Sequence, residues 1–162
     1  MSQLVNKIMV FVDGTEQSVT AAQYAICLAS GTGAELIALY VVNTRAVEDL
    51  LKARIFFQDE QMEYQEDMEA DGQRYLNYIN ELAIKKGVSI TQMCRKGSVH
   101  KEVLEATKEV DADLLVIGEL SRIRSRRDEF YDESERAMRA VPCSVLMVKD
   151  EDRVWEMYEA LV

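Results

Sequence analysis

The sequence predicts an α/β protein with a mostly parallel sheet and helices on both of its faces. Three observations carry that reading. Apolar runs of strand length alternate with helix-period stretches along the whole chain, the pattern of β-α-β units. The second run, Ala34 to Val42, has almost no polar alternation, as a strand covered on both faces would. Turn residues punctuate the pattern at Asp13-Gly14, Gly87, Gly97-Ser98, Gly118 and Pro142.

The elements follow in order. Val5 to Val12 is the first strand, broken by Asp13-Gly14. Thr15 can cap the helix that follows, where Val19, Ala22, Ile26 and Ala29 recur at helical spacing until Gly31 and Gly33 end it. Ala34 to Val42 is the second strand. Thr44 to Lys86 is long, polar and free of proline. Val47, Leu50 and Leu51 make one helical turn, and Met68, Gly72, Tyr75, Ile79 and Leu82 make a longer stripe. Gly72 weakens that helix interior and marks either a close contact or a bend.

Gly87 stops the helix, and Val88 to Cys94 alternates as a half-exposed strand. Gly97-Ser98 opens a helix with Val99, Val103, Leu104 and Ala106 or Thr107 facing inward. Ala112 to Ile117 is a short buried strand ending at Gly118. A polar stretch leads to a short helix through Ser134, Ala137, Met138 and Val141, closed by Pro142. Cys143 to Val148 is the last strand. Val154, Tyr158 and Leu161, with Trp155 beside them, give a terminal helix docked on the body or on a partner. The division expected is one domain over 1–149, with a helical insertion at about 44–70, and an extension over 150–162.

Composition narrows the function. A chain of 162 residues suits one domain with a substantial core. Its net charge of -10 disfavours nonspecific contact with nucleic acid or an anionic membrane. The apolar runs are too short to span a bilayer, and Ile8 to Val12 is too short for a signal peptide, so a cytoplasmic protein is expected. Cys27, Cys94 and Cys143 are widely separated and lie in apolar or alternating segments, where each reads as a small hydrophobe. Asp59, Glu60, Glu63, Glu66, Asp67, Glu69 and Asp71 form an acidic run with no histidine beside it. It reads as solvated helix surface, and no metal site is expected.

In an open parallel sheet, ligands bind beyond the carboxyl ends of the strands where the winding reverses. Asp13, Val41 and Gly118 stand at three such ends. Asp13 can equally be a plain turn residue of an Asp-Gly pair. His100, the only histidine, has no nucleophile or acid beside it in sequence, and reads as a solvated or capping residue. No catalytic set emerges, and a non-enzymatic protein is expected.

Five stretches then carry a resemblance. KIMVFVDGTEQS at Lys7 to Ser18, ALYVVN at Ala38 to Asn43, KGSVHKEVLEA at Lys96 to Ala106, ADLLVIG at Ala112 to Gly118 and SERAMRAVPCSVLMVK at Ser134 to Lys149 together resemble the universal stress protein family over about residues 5–149. The resemblance implies an adenine-nucleotide α-hydrolase-like fold with an open five-stranded parallel sheet of order 3-2-1-4-5. It implies dimerisation through the last strand, here Val145, Leu146, Met147 and Val148. In nucleotide-binding members it implies an aspartate after the first strand and adenine-facing backbone on the second, which map to Asp13 and Val41.

After the fourth strand the family carries Gly-x-x-Gly, nine residues, then Gly and a hydroxyl residue. Glycines there let backbone amides wrap phosphates, and the hydroxyl adds a donor. Here the same register reads Gly118, Ser121, Tyr131 and Asp132. Ser121 adds a β-carbon, costing about 1–2 kcal/mol if the backbone must be left-handed. Asp132 sets an anion against phosphate, about 4 kcal/mol of repulsion at about 4 Å and an effective dielectric constant of about 20. At about 1.4 kcal/mol per tenfold, such changes move micromolar affinity to millimolar or weaker. Arg122, Arg124, Arg126 and Arg127 could contact an anion through their side chains, or pair with Asp128, Glu129, Asp132 and Glu133 or with a partner's acidic surface. The pairing is the favoured reading.

The sequence thus predicts a regulatory homodimer that meets an unidentified protein partner, with impaired ATP and magnesium binding and no other cofactor. An adenine-nucleotide-binding regulator using the same cleft is the alternative.

Overall fold

Neighbouring residues of each apolar run bury themselves on opposite sides of one sheet, which is why the runs show so little polar alternation. The computed structural model describes residues 4–53, 58–120 and 129–162. Its strands are β1 (Lys7–Val12), β2 (Glu35–Asn43), β3 (Ile90–Gly97), β4 (Leu114–Gly118) and β5 (Ser144–Val148). Its helices are α1 (Glu16–Thr32), α2 (Thr44–Lys52), α3 (Gln58–Ile84), α4 (Val99–Val110), α5 (Glu129–Ala140) and α6 (Glu151–Ala160). The strands are parallel and run β3-β2-β1-β4-β5, the order expected.

On one side Ile8, Val10, Val12, Leu36, Ala38, Tyr40 and Val42 pack under α1, α3 and α6. On the other, Met9, Phe11, Ile37, Leu39, Val41, Leu115 and Ile117 meet α4 and α5. The winding reverses between β1 and β4, and the space above their carboxyl ends is where open parallel sheets form their ligand crevice. No helix among the described residues is long and apolar enough to cross a membrane.

Local chemistry sets the boundaries. Thr15 caps α1, its hydroxyl accepting from the Ser18 amide at 3.2 Å, and Gly33 ends that helix at φ 76°. Gly31 lies inside α1 rather than at its end. β3 continues past Cys94 through Arg95, Lys96 and Gly97, because pairing with Val41, Val42 and Asn43 carries it on. α5 begins five residues before Ser134, where the helical stripe starts. The stretch expected as an insertion over 44–70 divides into α2 and the start of α3, which runs unbroken to Ile84. At Gly72 the outcome is a close contact. The residue is buried, and a β-carbon there would run into the Tyr40 ring.

Two ties hold the amino edge of the sheet. Asp113 Oδ2 accepts from the Asn6 and Lys7 amides at 2.7 and 2.8 Å, and Lys7 Nζ donates to the Val110 carbonyl at 3.0 Å. These bonds hold the Asp113 carboxyl below the usual carboxylate range, the Asn6 amide contributing most. The terminal helix docks on the body. Val154 and Tyr158 of α6 are buried in the α1/α3 core, while Trp155 stays 51% exposed.

Cys94 is exposed, on the edge strand β3, whose alternating segment predicts a half-exposed strand. Cys27 and Cys143 are half-buried.

Candidate functional site

β1 ends at Val12, and the chain then turns sharply into α1. Asp13 Oδ1 accepts from the Thr15 amide at 3.0 Å and from the Thr15 hydroxyl at 2.6 Å. The Asp13 amide donates to Ser18 Oγ at 3.3 Å, and Ser18 Oγ donates to the Thr15 carbonyl at 2.9 Å. Gly14, at φ 84°, takes the left-handed backbone that this turn needs. Asp13 therefore does the structural work of a turn residue while its exposed carboxylate stands at the crevice mouth.

Val41 lies one residue beyond the last β1–β2 pair, Val12 with Tyr40, so β2 is flanked there by β3 alone. Its side chain is buried toward α4 and α5. That arrangement leaves main chain, not side chain, as what Val41 can offer a ligand. Gly118 closes β4 on the other side of the crevice. A β-carbon at Gly118 would stand 2.5 Å from the carbonyl carbon and oxygen of Gln17, in the first turn of α1. The glycine thus has a packing reason of its own, independent of any phosphate.

The structure brings Asp13, Val41 and Gly118 to the same end of the sheet. Ser121 and Arg122, Arg124, Arg126 and Arg127 lie outside the described residues. Tyr131 and Asp132 fall within α5, whose helical backbone has already begun at Glu129. His100 sits in the first turn of α4, its Nδ1 3.3 Å from Ser98 Oγ. Among the described residues, no group of three or more histidine, cysteine or acidic side chains is arranged to hold a metal ion.

Sequence reasoning missed the role of Tyr75, which it placed in a core stripe. The ring is 37% exposed and lies against Gly14, where a β-carbon would stand 2.6 Å from Tyr75 Cε2. It also meets the Tyr40 ring, with centroids 6.0 Å apart. Burial chiefly pushes the Tyr40 phenol above the usual range, with Tyr75, Cys94, Asp13 and Tyr64 adding to the effect. The available signal was Gly72, one helical turn before Tyr75, which marks a close approach of α3 to the sheet. Beside this cluster Lys96 pairs with Glu69, tying the end of β3 to α3.

Comparison with known proteins agrees with this geometry. The model of the Universal stress protein family matches residues 5–149. Universal stress protein MJ0531 of Methanocaldococcus jannaschii is 29% identical over 146 residues, covering 90% of this chain and 83% of that protein. Among solved structures, universal stress protein UspA from Lactobacillus plantarum is similar with a TM-score of 0.71 at 18% identity, over 91% of this chain and 100% of its own. A universal stress protein from Archaeoglobus fulgidus, solved in complex with dAMP, is similar with a TM-score of 0.62 at 14% identity, over 91% and 100%. With the strand order and a match spanning β1 to β5 in agreement, the chain belongs to the universal stress protein family.

Proposed function

We propose that the protein is a non-enzymatic, cytoplasmic regulatory homodimer that acts through protein contacts and binds ATP poorly. The observation that carries this reading is that Tyr131 and Asp132, in register with the family's phosphate-binding glycine and hydroxyl residue, lie in the helical backbone of α5. A glycine loop wraps phosphates with free backbone amides, whereas helical backbone spends its amides within the helix. The sequence offers a tyrosine and a carboxylate there in place of a glycine and a hydroxyl.

The two sheet edges support the homodimer. β3 carries Gln92, Arg95 and Lys96 along its edge, and such polar edges resist pairing. β5 carries Val145, Leu146 and Met147, all half-buried within one chain. Calorimetry with ATP and magnesium tests the nucleotide part; no binding heat below millimolar ligand is expected, and a micromolar dissociation constant refutes it. Sedimentation velocity tests the assembly; a dimer at high micromolar protein is expected, and a strict monomer refutes it.

A second reading, an adenine-nucleotide-binding regulator, draws on Asp13, Val41 and Gly118 standing at one end of the sheet. The dAMP complex of the Archaeoglobus fulgidus protein gives it precedent. The same calorimetry separates the two.

A further inference from the structure

Two glycines receive two tyrosine rings across the boundary between α3 and the sheet. The space beside Gly14 is filled by Tyr75, and the space beside Gly72 by Tyr40. Gly72 and Tyr75 are one turn apart on α3, so a single turn gives up a side chain to one ring and supplies the other. The rings meet with their planes 37° apart. A β-carbon at either glycine would displace the ring beside it, so ring and main chain are in direct contact at both places.

Docking of α3 does not require this ring. Leu76, Ile79, Leu82 and Ala83 already bury the helix on the α1/α3 side of the sheet. Tyr75 keeps over a third of its surface in solvent and places its edge on Gly14, directly beside Asp13. Its contact therefore bears on the turn at the crevice more than on the core.

We infer that Tyr75 is a positioning residue for the crevice, through which α3 sets the turn that carries Asp13. The exposed face of α3, which includes Glu63, Glu66 and Asp67, is thereby linked to the mouth of the crevice. A protein that lifts α3 withdraws the ring from Gly14, and a ligand that fixes the Asp13 turn holds α3 down by the same free energy. The inference stands whether or not the crevice takes a nucleotide, so calorimetry with ATP does not bear on it.

Amide hydrogen exchange on the full chain tests it. In Tyr75→Ala, the Asp13, Thr15 and Ser18 amides should lose about tenfold in protection while α4 and β4 amides keep theirs. Tyr75→Phe, which keeps the ring, should restore the wild-type values. A merely structural tyrosine predicts an even loss over the whole sheet, and that pattern, or unchanged turn amides, overturns the inference. Tyr75→Leu probes the same contact, should Tyr75→Ala not fold, because it keeps an apolar side chain but cannot place a ring edge on Gly14. It should lower protection of the Asp13, Thr15 and Ser18 amides about tenfold while sparing α4. No change in those amides is equally fatal to the inference.

Discussion

The phenol of Tyr158 donates a 2.6 Å hydrogen bond to the Leu82 carbonyl, joining the terminal helix to the end of α3. Lys86 completes the joint. Its ammonium lies 4.9 Å from the Tyr158 ring centroid and donates to the Leu161 carbonyl at 2.8 Å, at the carboxyl end of α6. A cation there meets the negative end of the helix dipole. Tyr158→Phe should cost about 0.5–1.5 kcal/mol, the worth of one hydrogen bond. Tyr158→Ala, which also empties a buried site, should cost about 3–5 kcal/mol. Urea denaturation checks both, and equal costs would show that the ring does not hold α6.

Acid should loosen the amino edge of the sheet. Asp113 has a folded pKa below its ordinary value because two backbone amides bond its carboxylate. Its stabilisation is therefore complete above the ordinary carboxylate range and is lost as pH falls through the depressed folded value. Asp113→Asn should be less stable than wild type at neutral pH and should lose part of the acid-limb slope. Parallel acid limbs in thermal melts from pH 7 to 2 would contradict this.

Much of the fold could be read from the chain because its periodicities are strong. Ala34 to Val42 can only be a strand covered on both sides, and Thr15 and Gly33 bracket α1 by their own chemistry. The crevice was legible at Asp13 and Gly118 because parallel topology places strand ends there. What escaped was tertiary. The end of β3 depends on pairing with Val41 to Asn43, which no local pattern reveals. Tyr75 fits a helical stripe, but Gly14, more than fifty positions earlier, decides where its ring rests. That β3 lies at a sheet edge is a fact of strand order, which local alternation over Val88 to Cys94 does not reveal.

Cys94 should be the first cysteine modified by a soluble thiol reagent, since Cys27 and Cys143 are half-buried. Its thiol is nevertheless pushed above the usual range, by burial first and then by Glu69, with Lys96 opposing. Only the thiolate reacts. Labelling at neutral pH should thus be slower than that of a free cysteine and should quicken as pH rises past the ordinary thiol range. Peptide mapping after timed alkylation checks the order, and preferential labelling of Cys27 or Cys143 would contradict it.

Gly118 separates a packing role from a phosphate-binding one. A β-carbon there meets Gln17 main chain at 2.5 Å, and main chain cannot swing aside as a side chain can. The added methyl must push α1 away from β4 or bend the strand end, an overpacking cost of about 1–3 kcal/mol. Because the clash is internal, Gly118→Ala should lower stability in protein free of nucleotide, and adding ATP should not change the difference from wild type. If the glycine served only to let a phosphate approach, the variant would be as stable as wild type until nucleotide was added. Thermal melts of both proteins, with and without millimolar ATP and magnesium, distinguish the two. A difference that appears only with nucleotide would restore the crevice as a working phosphate site and remove the case for poor ATP binding.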